Sequence, residues 1–173
     1  SNMLTISSMG GFGQPGSALT SFLGIEFLTK RNDINFRSSL NLGKTKSDFN
    51  QIGIINGLED AYFSSFDFGI YKENIFTKND SLGLQIYQPL RSEYAQIDLS
   101  IPTGRTKNKE ILFKELSLDL SPSGRQINSQ VVYSTTKNSF TFLGKLGLIS
   151  NEFHQNDGKI KPYFQIDMKL SLE

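Results

Sequence analysis

Apolar and polar residues alternate one by one along most of this chain. The pattern is strictest between Asn79 and Asn128, where three runs keep it without a break. Leu82, Leu84 and Ile86 fall on one side, and Gly83, Gln85 and Tyr87 on the other. Ile97, Leu99 and Ile101 oppose Gln96, Asp98 and Ser100, and Leu116, Leu118 and Leu120 oppose Ser117, Asp119 and Ser121. A period of two is strand geometry, because successive side chains on a strand point to opposite faces. Each run is therefore expected to be a strand with one greasy face and one polar face.

The same pattern recurs on both sides of this stretch. Leu19–Lys30 and Ile34–Leu42 alternate around Arg31-Asn32-Asp33, whose Asn and Asp suit a turn because their side chains bond the local backbone, and the pair reads as a hairpin. In the second strand Ile34, Phe36, Leu40 and Leu42 oppose Asn35, Arg37, Ser39 and Asn41. Residues 43–60 are less regular, and Ile52, Ile54 and Ile55 fit a short strand or a helical turn equally well. Ala61–Tyr71 resumes the alternation, Lys72–Asp80 reads as a loop, and a polar loop carrying Lys107 and Lys109 follows the second of the three runs. Ser121-Pro122-Ser123-Gly124 has the chemistry of a type I turn, with proline presetting φ at the second position and glycine at the fourth. Gln126–Thr136, Phe140–Ile149 and Lys161–Leu172 supply the last strands, with a turn at Lys137-Asn138 and a polar loop at Asn151–Gly158. All five prolines fall in loops or near strand ends, as a hydrogen-bonded ladder requires.

Hairpin-length links favour sequential antiparallel neighbours. The expected fold is all-β: an antiparallel up-and-down meander of about nine or ten strands, closed as a barrel or barrel-like sandwich. Residues 1–18 are rich in Gly and Ser and read as a flexible lead-in, with Ser1-Asn2-Met3 as a vector-derived scar ahead of a piece of a longer protein. Residues 19–173 read as one domain.

Composition narrows the function classes. The chain has 173 residues and a formal charge of +1 from 18 basic and 17 acidic residues, which gives no electrostatic reason for a nucleic-acid partner. It has no cysteine, so disulfides and thiolate metal sites are excluded. Its aromatics are 14 Phe and six Tyr with no Trp, and in alternating runs they read as core or lipid-facing residues rather than a base-stacking platform. No apolar run is long enough for a transmembrane helix.

Candidate catalytic chemistry is sparse. A Ser-His-Asp triad needs a general base, and His154 is the only histidine. It lies in a polar loop near Glu152 and Asp157 and reads as a solvated loop residue; with those two acids it makes a poor metal set. No catalytic, cofactor-binding or metal residue is assigned. Gly10-Gly11-Phe12-Gly13 lacks the preceding strand and following helix of a phosphate cradle and reads as linker. Arg91 and Arg125 each follow turn-forming residues, and each is expected to cap a turn or pair with a nearby acid such as Glu93, the other reading being a lumen or subunit contact.

Two short strings stand at strand ends in a fixed order. Gln88-Pro89-Leu90-Arg91 follows Leu82 and Leu84, and Ile101-Pro102 ends the next strand. Pro122-Ser123-Gly124-Arg125 follows Leu118 and Leu120 and leads into Gln126-Ile127-Asn128. In this order and spacing, over roughly residues 61–136, the chain resembles the C-terminal autotransporter-like β-barrel region that follows the catalytic domain of bacterial subtilisin-like (S8 family) serine peptidases. The resemblance implies structural roles for Gln88, Pro89, Leu90, Arg91, Pro102, Pro122, Ser123, Gly124 and Arg125. It also implies a non-catalytic domain that anchors or translocates an exported peptidase at the bacterial outer membrane or cell surface. Its partners would be the peptidase domain of the same chain and outer-membrane lipid.

Alternation by itself leaves two solutions open. A soluble barrel or sandwich in the periplasm or outside the cell turns its apolar face inward, packing on a peptidase or another partner, and an outer-membrane barrel turns that face to lipid.

Overall fold

The computed structural model describes residues 15–49 and 53–170. The glycine-rich string at residues 10–13 and Ile52 lie outside the described residues. Among the described residues ten strands follow one another: β1 (Pro15–Arg31), β2 (Ile34–Phe49), β3 (Ile55–Leu58), β4 (Ala61–Glu73), β5 (Asp80–Tyr94), β6 (Gln96–Arg105), β7 (Ile111–Asp119), β8 (Ile127–Lys137), β9 (Phe140–Ser150) and β10 (Ile160–Leu170). The protein is all-β and antiparallel, and of the undecided isoleucines Ile55 opens β3 while Ile54 lies just before it. The tight turns fall where asparagine permits them, with Asn32 at φ 53° and Asn138 at φ 53°.

The strand order departs from a simple meander. One sheet has seven strands in the order β1-β2-β4-β5-β8-β9-β10, and a second has three in the order β3-β6-β7. The reason lies at Ala95, between β5 and β6. Its carbonyl accepts the Leu120 N–H at 2.7 Å and its N–H meets Ser121 Oγ at 3.2 Å. The β6–β7 hairpin thus closes at its own neck, and β5 pairs with β8 instead, from Asp80↔Thr135 to Tyr87↔Asn128. A register shift between Pro102 and Gly104 bends the hairpin near its tip, as a bulge does.

The chain divides into two compact units. One takes the described residues of Ser1–Leu23, Leu42–Phe63 and Ser92–Ser121; the other takes Gly24–Asn41, Ser64–Arg91 and the described residues of Pro122–Glu173. In the first, Thr20 and Thr45 share a hydrogen bond at 2.9 Å, Lys44 pairs with Asp60 at 2.7 Å, and Glu115 accepts from Asn56 and Ser100.

The second unit has its polarity inverted relative to a soluble domain. In register across β5, β8, β9 and β10, the row Leu84, Val131, Leu146 and Phe164 lies on one face. These side chains stay exposed: Leu84 is 59% accessible, Leu146 60% and Phe164 67%. Ile25, Phe27, Leu40, Phe68, Ile86, Leu148, Ile166 and Met168 are exposed too. The next row, on the opposite face, is Gln85, Gln130, Gly147 and Tyr163. Here Gln85 Nε2 donates to Asp67, Gln130 Nε2 donates to Gln85 Oε1 at 2.6 Å, and the Tyr163 hydroxyl donates to Gln130. Ser81 with Ser134 at 2.9 Å, Asn41 with Ser65 at 3.2 Å and Arg37 with Glu26 at 3.0 Å extend this polar face. Among the described residues of the whole chain the buried apolar side chains are Ile55, Ala61 and Ala95, whereas Thr45, Asp80, Gln88, Ser100, Asn128, Gln130 and His154 are buried polar ones. Soluble domains bury Ile, Leu, Val and Phe first and leave Gln and Asn outside.

Candidate functional site

The candidate site starts from a polar residue in an apolar row. Gln88 has the strand parity of Leu84 and Ile86, yet it is only 2% exposed. On β4 the matching interruption is Ser64, between Tyr62 and Phe66. The two meet: Gln88 Nε2 donates to the Ser64 carbonyl at 3.1 Å and lies 3.2 Å from Ser64 Oγ. Gln88 Oε1 accepts from Arg125 Nη1. A buried amide with its partners in place is inexpensive, whereas one stranded among apolar atoms costs about 1–3 kcal/mol.

The contact continues past the end of a ladder. The β5–β8 ladder ends at Tyr87↔Asn128. Beyond it come Pro89 on one segment and Pro122 on the other, and neither has a backbone N–H to give. Arg91 bonds the two segments beyond the ladder. Its Nε donates to the Gly124 carbonyl and its Nη2 to the Pro122 carbonyl, each at 2.9 Å. The planar, permanently charged guanidinium reaches two carbonyls at once, which a lysine ammonium does with less geometric fit. Asparagine, serine and glycine finish the contact: Asn151 Nδ2 donates to the Arg125 carbonyl at 3.3 Å, and the Asn156 N–H donates to Ser123 Oγ at 3.1 Å. Gly124 is needed for space, because a Cβ there would stand 2.7 Å from the Asn156 nitrogen and 2.8 Å from the Gln155 carbonyl carbon.

His154 closes the cluster and corrects the expectation of a solvated loop histidine. It is buried at the end of a short turn, Glu152–His154, with Asn151, Phe153 and His154 all at positive φ. The Gln126 N–H donates to His154 Nδ1 at 3.0 Å, and His154 Nε2 lies 3.2 Å from the Leu90 carbonyl. A carbonyl only accepts, so Nε2 carries the hydrogen and the ring is the neutral Nε2–H tautomer. The His154 carbonyl in turn accepts the Gly124 N–H at 2.7 Å. That bond turns the expected Ser121–Gly124 type I turn into a docking segment, because the glycine N–H bonds across to another loop. Three left-handed residues in four cost strain, and the bonds of this cluster hold them.

The structure thus brings Gln88, Leu90, Arg91, Pro122, Ser123, Gly124 and Arg125 into one clasp, joined by side-chain bonds across 24 to 64 residues of sequence. Pro89 lies between Gln88 and Leu90 of this clasp. Pro102 stands apart, exposed on β6 opposite Phe113 at the register shift. The residues missed from the sequence are Ser64 and His154. For Ser64 the signal was present, as the polar break in an apolar row that lines up with the break at Gln88. What the clasp does is fix four segments to one another; both ring nitrogens of His154 are occupied by backbone.

A second polar centre caps the opposite end of β5. Residues 74–79 turn back on the Asp80 carboxylate, which accepts from the N–H groups of Ile75 at 2.8 Å, Phe76 at 3.1 Å and Thr77 at 2.8 Å. The Tyr133 hydroxyl reaches the same carboxylate at 3.3 Å, and its ring packs edge-on against Phe76 at 6.0 Å. Burial by itself would raise the Asp80 pKa, but the N–H bonds from Thr77, Phe76 and Ile75 outweigh it and hold the pKa below its ordinary 3.8.

No protein-family model, no curated protein and no solved structure matches this chain.

Proposed function

We propose that this chain is a non-catalytic β-barrel domain whose apolar outer face meets lipid, and that it anchors or translocates an exported subtilisin-like peptidase at the bacterial outer membrane. One observation carries the membrane part of this reading: the apolar rows are exposed while Gln, Asn, Ser and Tyr bond one another on the opposite face. In water each large side chain left exposed forfeits about 1.5–3 kcal/mol, and across the row from Leu84 to Phe164 and its neighbours that loss exceeds what a domain can bear. Against hydrocarbon the same surface is at home, provided that every backbone group is paired within the protein. In this reading the polar face lines a lumen, and the sheet closes so that neither β1 nor β10 presents an open edge to lipid.

Aromatic placement agrees. Tyr62, near the start of β4, packs on Tyr94 with ring centroids 6.4 Å apart, and Phe76 lies in the turn beyond the end of β4 against Tyr133. Aromatic residues flank the apolar band of outer-membrane strands in this way. The peptidase link rests on the resemblance of the Gln88–Arg91 and Pro122–Arg125 strings, which the clasp joins into one structural unit.

The test is Leu84→Arg with the chain folded into lipid vesicles, read by denaturant titration. A lipid-facing Leu84 near the bilayer midplane makes this substitution cost about 2–4 kcal/mol. In a soluble accessory domain that leaves Leu84 as exposed as it is here, the change falls within about 0.5 kcal/mol, and that outcome would remove the membrane reading.

A further inference from the structure

We infer that the tip of the β6–β7 hairpin docks on the phosphate-bearing headgroups of anionic lipid. Three observations converge there. First, the tip is built: Thr106 N–H donates to the Glu110 carbonyl at 2.9 Å, Lys109 N–H to the Thr106 carbonyl at 3.0 Å, and Glu110 N–H to Thr106 Oγ1 at 3.2 Å. Lys109 takes a left-handed φ of 68° to complete the turn. Second, the tip is basic in a chain of nearly balanced charge. Arg105, Lys107, Lys109 and Lys114 are all exposed, and Glu110 is the one acid between residues 103 and 114. Third, the strand beside these cations is apolar on both faces. Ile111, Leu112 and Phe113 follow one another, so they point alternately to the two sides, and they are 48%, 50% and 57% exposed.

Lower down the hairpin the usual division returns, with Asp98 bonded to Ser117 and Ser100 to Glu115 on one face. A hairpin tip that stands in water keeps at least one face polar. Apolar residues on both faces under a crown of Arg and Lys fit the boundary between acyl chains and anionic headgroups, where the long cationic side chains reach phosphate while their stems cover apolar surface. Charge complementarity selects an anionic lipid over a zwitterionic one, at about fivefold in affinity for each cation near the surface. The inference rests on the membrane reading only for the presence of lipid; it concerns a different surface.

The chain has no tryptophan, so Phe113→Trp and Leu84→Trp are single reporters of the hairpin and of the sheet face. Each is folded into vesicles of phosphatidylcholine alone and of phosphatidylcholine with phosphatidylglycerol, and its emission maximum is read. The expected result is a larger blue shift for Phe113→Trp when phosphatidylglycerol is present. High salt, or Arg105→Gln, Lys107→Gln and Lys109→Gln together, removes the difference, while Leu84→Trp is blue-shifted equally in both lipids. A Phe113→Trp spectrum indifferent to phosphatidylglycerol overturns the inference, whatever Leu84→Trp does. Leu84→Trp left unshifted in both lipids would count against the membrane reading and not against the hairpin.

Discussion

Arg91 holds two backbone carbonyls of another segment with one side chain, those of Pro122 and Gly124. Arg91→Ala removes two charge-assisted bonds and is expected to cost about 3 kcal/mol, read by denaturant titration of the folded chain, with Arg91→Lys recovering only part of it. His154→Ala strands the Gln126 N–H and the Leu90 carbonyl and is expected to cost about 1–3 kcal/mol. At Asp80 the consequence is a pH dependence with a definite sign. Its folded pKa lies below 3.8, so its contribution to the turn is complete above that value and is lost as pH falls through the lowered one. Protection of the Ile75, Phe76 and Thr77 amides, taken relative to the intrinsic exchange rate at each pH, should hold down to 3.8 and fall below it, whereas Asp80→Asn should be less protected throughout without that acid step. From the sequence the arginines were expected to cap a turn or pair with a nearby acid such as Glu93, whereas Arg91 donates to carbonyls of a segment 31 and 33 residues further along the chain. His154 was not legible, because a polar loop looks solvated until the segment that covers it is known. Its partners are Gln126 and Leu90, far along the chain and contributing backbone atoms, which leave no mark on composition.

At the scale of the element, alternation told where the strands lie, and the turns at Asn32 and Asn138 could be read from the left-handed tolerance of asparagine. Pairing was harder. Sequential neighbours were expected throughout, but β6 and β7 form their own sheet with β3. The cause is a pair of bonds at Ala95, one from the Leu120 N–H and one to Ser121 Oγ, and no local pattern announces such a neck. Space on the polar face also matters to the element. A Cβ at Gly147 would stand 2.6 Å from the Tyr163 ring and 2.7 Å from the Ser129 carbonyl, whereas one at Gly144 would meet Phe142 at an ordinary 3.5 Å. Gly147→Ala is therefore expected to destabilise the sheet by about 1–3 kcal/mol and Gly144→Ala to leave it nearly unchanged, with heat-induced unfolding of the two variants as the comparison.

At the scale of the molecule, the sequence showed that each strand has two unlike faces but not which of them looks outward, since a period of two is the same either way. In the region from Leu84 to Phe164 the apolar row is exposed and the polar one bonds to itself, which is what the membrane reading rests on. The Gln88–Arg125–His154 clasp then fixes the loops at the end of β5. The most direct measurement is light scattering on the purified chain in buffer, with and without detergent. The expected result is aggregation without detergent and conversion by detergent into a monodisperse, β-rich species that resists heat. A stable, monodisperse chain in buffer alone would contradict the central claim, because the apolar rows would then be covered by protein rather than by lipid.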